Sequence, residues 1–82
     1  MKQIAYSKQS VKTLRKMDVK QAKIIRDKIE AYAANPSAVA NNVKKLQGSE
    51  FIRLRVGDWR VIMDEQGTIL MIIKIASRGA AY

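Results

Sequence analysis

Apolar positions along this chain follow two different periods. From Ser7 to Ala34 they recur at helical spacing, and from Lys45 to Ala76 they mostly alternate. Ahead of both, Gln3-Ile4-Ala5-Tyr6 reads as a short strand. Ser7 then supplies an N-cap for a helix with Val11, Leu14 and Met17 on one face. Asp18 followed by Gln21 is a capping-box variant, so a second helix begins there. Its stripe is Ala22, Ile25, Ile29, Tyr32 and Ala33, and Asn35-Pro36 ends it, because a residue before proline avoids the helical region. Residues 35–44, with Ala-Val-Ala at their middle, read as a loop.

Three strands follow. Residues 51–56 and 59–64 flank Gly57-Asp58, a pair suited to a tight hairpin. Residues 68–76 follow a second turn around Gln66-Gly67, and their run Ile69-Leu70-Met71-Ile72-Ile73 is apolar on both faces, as in a well-covered strand. The expected fold is α+β in the order β-α-α-β-β-β. A short N-terminal strand and a two-helix hairpin pack on one face of a mainly antiparallel twisted sheet, in one domain spanning residues 1–82.

The hairpin sorts its side chains. With a two-residue loop at Gly57-Asp58, Val56 pairs with Trp59, Arg55 with Arg60, Leu54 with Val61 and Arg53 with Ile62. Ile52, Leu54, Val56, Trp59, Val61 and Met63 then share one face, and Phe51, Arg53, Arg55 and Arg60 share the other. Arg55 opposite Arg60 is a like-charge pair that costs stability. Guanidiniums with no acid between them suit a phosphate site, each planar fork holding two oxygens; the plainer reading is arginines splayed into water. The last strand admits two registers. A three-residue loop Glu65-Gln66-Gly67 puts Lys74 and Ala76 on the arginine face and Ile69, Met71, Ile73 and Ile75 under the helices; a two-residue loop reverses this. The first register is preferred because it keeps those four apolar side chains under the helices.

Composition narrows the chemistry. The 82 residues carry 16 Lys+Arg against 7 Asp+Glu, a net charge of +9. With no Cys and no His, the commonest transition-metal ligands and any Ser-His or Cys-His nucleophile are missing. Residues 1–6 lack the apolar core of a signal peptide, and no apolar run approaches the ~18 residues of a membrane span. The expectation is a cytoplasmic domain with a polyanionic partner: nucleic acid first, an acidic protein second, a membrane surface third. Lys8, Lys12, Lys16, Lys20 and Lys23 read as a solvated helix face, with non-specific phosphate contact as the other reading.

Residues 44–82, "KKLQG…FIRLRVGDWRVI…ILMIIKIASRGAAY", resemble the RelE/ParE toxin superfamily, specifically the RelE-type ribonucleases of bacterial toxin–antitoxin systems. The N-terminal helical hairpin with its "LRKM" stretch agrees. The resemblance implies an open sheet face that cradles RNA and cleavage of messenger RNA in the ribosomal A site, the ribose 2′-OH attacking the adjacent phosphate. It assigns Arg60 to the transition state, Arg78 to the leaving oxygen and Tyr82 to the base. Arg53 falls on a basic residue that contacts the phosphate and Arg55 on a neighbouring basic position; Phe51, by stacking on a base, and Lys74, which the preferred register brings to that face, would also contact RNA. No metal or cofactor is implied, because arginines stabilise the developing charge. The implied partners are the ribosome, mRNA and an acidic, partly disordered antitoxin. Two departures thin the site: Ser77 and Gly79 stand where many relatives have basic residues, and Phe51 replaces another basic contact. Two other readings stay open, a ParE-like inhibitor of DNA gyrase and a binding module that has lost its nuclease activity.

Overall fold

Ser7 and Asp18 start the two helices. The Ser7 hydroxyl accepts the Ser10 backbone N–H at 3.2 Å at the head of α1 (Lys8–Lys16). Asp18 Oδ2 accepts the Lys20 N–H at 3.2 Å at the head of α2 (Val19–Ala34). Each bond satisfies a donor that a first helical turn leaves unpaired. α2 stops at Asn35, whose extended backbone (φ −154°, ψ 92°) precedes Pro36. The structure, a computed structural model, describes residues 2–77.

The strands are β1 (Gln3–Tyr6), β2 (Val43–Lys45), β3 (Ile52–Val56), β4 (Trp59–Gln66) and β5 (Ile69–Ser77). They form one mixed sheet in the order β1-β5-β4-β3-β2. β1 runs parallel to β5, and every other neighbouring pair is antiparallel. Leu14 of α1 and Ala22, Ile25, Ile29 and Tyr32 of α2 bury against Leu54, Val56, Val61, Met63, Leu70, Ile72 and Ile75. Both helices therefore cover the same sheet face, and the other face, which carries arginines and lysines among Ile62, Met71 and Ala76, is left open by them.

Two parts of the chain differ from expectation. Residues 35–44 are not a plain loop. They hold a short 3-10 helix, Pro36–Asn42, broken at Val39, whose side chain drops into the core. They then enter β2, which pairs Val43 with Leu54, Lys44 with Arg53 and Lys45 with Ile52.

The turn after β4 also differs. It is Gly67-Thr68, closed by Gln66 opposite Ile69, rather than Glu65-Gln66-Gly67. Pairing runs to Met63↔Ile72 and then jumps to Ile62↔Lys74, so Ile73 bulges out of the ladder. A bulge exchanges the faces of the strand. Before it Leu70 and Ile72 point into the core, after it Ile75 does, and all three are fully buried. Ile69 is exposed and Met71 and Ile73 are half-buried, contrary to the preferred register. Lys74 and Ala76 nevertheless reach the arginine face. The tip follows the two-residue alternative, and the far end follows the preferred one.

Candidate nucleic-acid interface

Gly57 makes the β3–β4 hairpin tight. It takes φ +60° at the first of two loop positions, as a type II′ turn requires, and no non-glycine residue among those described has positive φ. The resulting pairs are Val56↔Trp59, Arg55↔Arg60, Leu54↔Val61 and Arg53↔Ile62, as the sequence predicts. With the even side chains of β3 buried under the helices, alternation turns Arg53 and Arg55 to the open face, and Phe51 precedes them on that side.

The registers of four strands arrange this face in rows. One row runs Lys44, Arg53, Ile62, Lys74, and the next runs Arg55, Arg60, Ala76. Neighbouring strands lie ~4.8 Å apart, so the first row spans about 14 Å. Neither row contains a carboxylate. Along β4 the acid that alternation turns to this face is Asp64, opposite Met71. Arg55 and Lys44 are exposed, while Arg53, Lys74 and Phe51 are half-buried. Arg60 is 9% exposed and lies between Ile62 at 7% and Ala76 at 8%, none of which belongs to the core under the helices. Its Nη1 donates to the Trp59 carbonyl at 3.4 Å, a long bond that leaves most of the guanidinium fork for other contacts.

Lys44 was not foreseen. The signal was the Gly48 turn, where Leu46 N–H donates to the Phe51 carbonyl at 3.0 Å and closes a hairpin between β2 and β3. Arg78 and Tyr82, assigned by resemblance to the leaving oxygen and the base, lie outside the described residues. The tyrosines that are described do not resemble a base. Tyr6 is pushed up by burial and by Glu30, with Arg26 opposing, and Tyr32 is pushed up by burial, by its hydrogen bond to Glu65 and by that carboxylate's charge. Lys8, Lys12, Lys16, Lys20 and Lys23 are exposed, as expected.

Among the described residues no three His, Cys, Asp or Glu side chains gather into a metal-binding group, and no helix is long and apolar enough to cross a membrane. A groove of about 500 Å³ runs between α1 and α2, lined by Leu14, Met17, Val19 and Ala22 and rimmed by Arg15 and Arg26. It includes none of the arginine-face residues.

Comparison with solved structures finds the same architecture repeatedly. The archaeal RelE of a RelE–RelB complex from Pyrococcus horikoshii OT3 is 26% identical, with a TM-score of 0.78 over 98% of each chain. The isolated E. coli RelE toxin is 13% identical, with a TM-score of 0.80 over 99% of this chain and 88% of that one. The Staphylococcus aureus YoeB–YefM complex is 14% identical, with a TM-score of 0.76 over 95% and 98%. A search of curated proteins gave no match. The family model described as the ParE toxin of type II toxin–antitoxin systems, parDE, matches residues 4–82. With the model covering nearly its whole length, the chain belongs to the ParE toxin family, within the RelE/ParE superfamily of type II toxin–antitoxin toxins.

Proposed function

We propose that this toxin is a ribosome-dependent endoribonuclease that cuts messenger RNA in the A site. The observation that supports it best is the pair of rows just described, where Lys44, Arg53, Arg55, Arg60 and Lys74 share an open sheet face without an intervening carboxylate. In the reaction a bond forms between the ribose 2′-oxygen and phosphorus while the bond to the 5′-oxygen breaks. The 2′-proton goes to a base and the 5′-oxygen takes up a proton. The products are a cyclic 2′,3′-phosphate and a 5′-hydroxyl. Negative charge gathers on the phosphoryl oxygens at the midpoint, and Arg60, held among Ile62 and Ala76 where water is scarce, is suited to stabilise it. Arg53, Arg55, Lys44 and Lys74 would hold the flanking phosphates, and Phe51 offers a ring for stacking. Tyr82 as base and Arg78 at the leaving oxygen complete the reading by resemblance. The base role asks that neighbouring guanidiniums favour the phenolate.

The partner that restrains the toxin is an antitoxin, in keeping with the RelB and YefM complexes among its structural neighbours. An acidic segment laid over the basic sheet would compete with phosphate for the same cations.

The second reading, an inhibitor of DNA gyrase that cuts no RNA, draws on the family model itself. Brief induction followed by mapping of RNA 5′ ends separates the two. New ends inside codons, absent with Arg60→Ala, support the nuclease. Intact mRNA with gyrase-linked DNA breaks transfers the function to the second reading.

A further inference from the structure

β1 accompanies β5 only from Gln3↔Ile69 to Tyr6↔Ile72, and beyond Ile72 the first turn of α1 takes over that edge. The Ser7 N–H donates to the Ile72 carbonyl at 3.0 Å, and the Ser7 hydroxyl donates to the Ile73 carbonyl at 2.7 Å. Gln9 then grips the backbone of Ile75 from both sides: its Nε2 donates to the Ile75 carbonyl at 3.1 Å, and the Ile75 N–H donates to its Oε1 at 3.0 Å. A side-chain amide here supplies the donor and acceptor that a neighbouring peptide would supply in a continuing strand. These contacts bracket the bulge at Ile73.

The bulge decides what the open face carries. Regular pairing onward from Met63↔Ile72 would set Lys74 opposite Val61, on the helix face, and Ile75 opposite Arg60. The bulged register instead sets Lys74 in the row of Lys44 and Arg53, and Ala76 beside Arg60. Burial of Ile75 favours this register, and the Gln9 clamp fixes its backbone in place.

We propose that Gln9 is a positioning residue for the basic face: by clamping Ile75 across the bulge, it holds Lys74 in the row of cations that takes the RNA backbone. The proposal rests on reading that face as an RNA site. Gln9 acts through Lys74, so its effect on binding depends on Lys74 being present.

The test is a double-mutant cycle with Gln9→Leu and Lys74→Ala, reading anisotropy of a labelled single-stranded RNA oligonucleotide over a salt series. Urea unfolding and hydrogen exchange of the Ile75 amide are measured on the same proteins. Gln9→Leu is expected to weaken RNA binding by about three- to tenfold, the range of one ordinary hydrogen-bonded contact, because Lys74 is displaced rather than removed. It also lowers the salt slope by up to ~0.7, one phosphate's share for a single strand, and speeds Ile75 exchange. In the Lys74→Ala background it changes neither affinity nor slope. Should Gln9→Leu fail to fold, Gln9→Glu, which keeps the acceptor for the Ile75 N–H and loses the donor to the Ile75 carbonyl, is expected to repeat the pattern at smaller size. Loss of stability with unchanged affinity and slope overturns the proposal, as does an effect that adds fully to that of Lys74→Ala. A wild-type protein that binds no RNA sinks the reading of the face and this proposal with it, an outcome distinct from failure of the clamp alone, in which wild type binds.

Discussion

Arg55 and Arg60 stand opposite one another in the β3–β4 ladder, the first exposed and the second nearly buried. Side chains so placed have Cβ atoms ~4.5–5.5 Å apart, and like charges there cost roughly 0.2–1 kcal/mol. Nothing in the row offsets that cost from within the described chain, because its third member is Ala76. An anion laid over the pair offsets it. Arg55→Thr is therefore expected to raise stability by about 0.5 kcal/mol in urea unfolding while weakening RNA binding. A variant that loses stability and keeps its affinity would give Arg55 a structural role instead.

Lys44 sits at the outer end of the longer row, opposite Arg53 and away from Arg60. It is exposed, so its removal disturbs little packing. Lys44→Ala is expected to leave the unfolding midpoint unchanged and to reduce the salt dependence of RNA binding by ~0.7 in slope, one phosphate contact on a single strand. Replacing Lys45, which alternation turns to the other face, serves as the control and should leave the slope alone. Equal effects from the two lysines would mean diffuse attraction rather than a row.

Part of this arrangement is legible in the amino-acid sequence because it is set locally. The caps at Ser7 and Asp18, the stop at Asn35-Pro36 and the Gly57 hairpin are local, each set by a few residues whose side-chain chemistry admits one backbone path. Arg53, Arg55 and Arg60 could be placed on one face because that hairpin fixes their register. β2 was hidden because three residues, two of them lysine, show no alternation that identifies a strand. The Ile73 bulge was hidden for a different reason. Ile69 to Ile73 are apolar at every position, so the pattern fits either register, and what accompanies the bulge, burial of Ile75 and bonds from Ser7 and Gln9, lies outside that run. Lys74 was placed on the right face through a turn of the wrong length.

Gly57 carries a cost that can be measured without touching any contact. A Cβ added there meets no atom within 4 Å, so the only penalty to Gly57→Ala is its φ of +60°. That conformation disfavours L-residues by roughly 1 kcal/mol or more. The urea midpoint is expected to fall by the corresponding amount with an unchanged slope. D-alanine, introduced by synthesis, accepts the same φ and should restore it. If D-alanine and L-alanine destabilise equally, the loss arises outside the turn backbone.

Tyr32 ties α2 to the far end of β4. Its hydroxyl donates to Glu65 Oε1 at 2.5 Å, Glu65 Oε2 lies 3.4 Å from Lys2 Nζ, and that ammonium donates to the Gly67 carbonyl at 2.6 Å. Burial first, then the hydrogen bond, then the carboxylate's charge hold the phenol well above its ordinary value of 10.0. The folded chain thus keeps a proton that the unfolded chain releases above about pH 10. The stability this contributes is complete below that pH and is lost as pH rises from there toward the folded value. Tyr32→Phe removes the donor and should be less stable near neutrality, where the phenol is protonated in both states. Every other ionisable group is common to both proteins, so the difference between wild type and variant isolates Tyr32. Urea unfolding at about pH 8, 9, 10 and 11 should show that difference constant up to about pH 9 and shrinking beyond about pH 10. A difference that stays level across the whole range would mean that Tyr32 supports the fold through packing alone and that its proton plays no part.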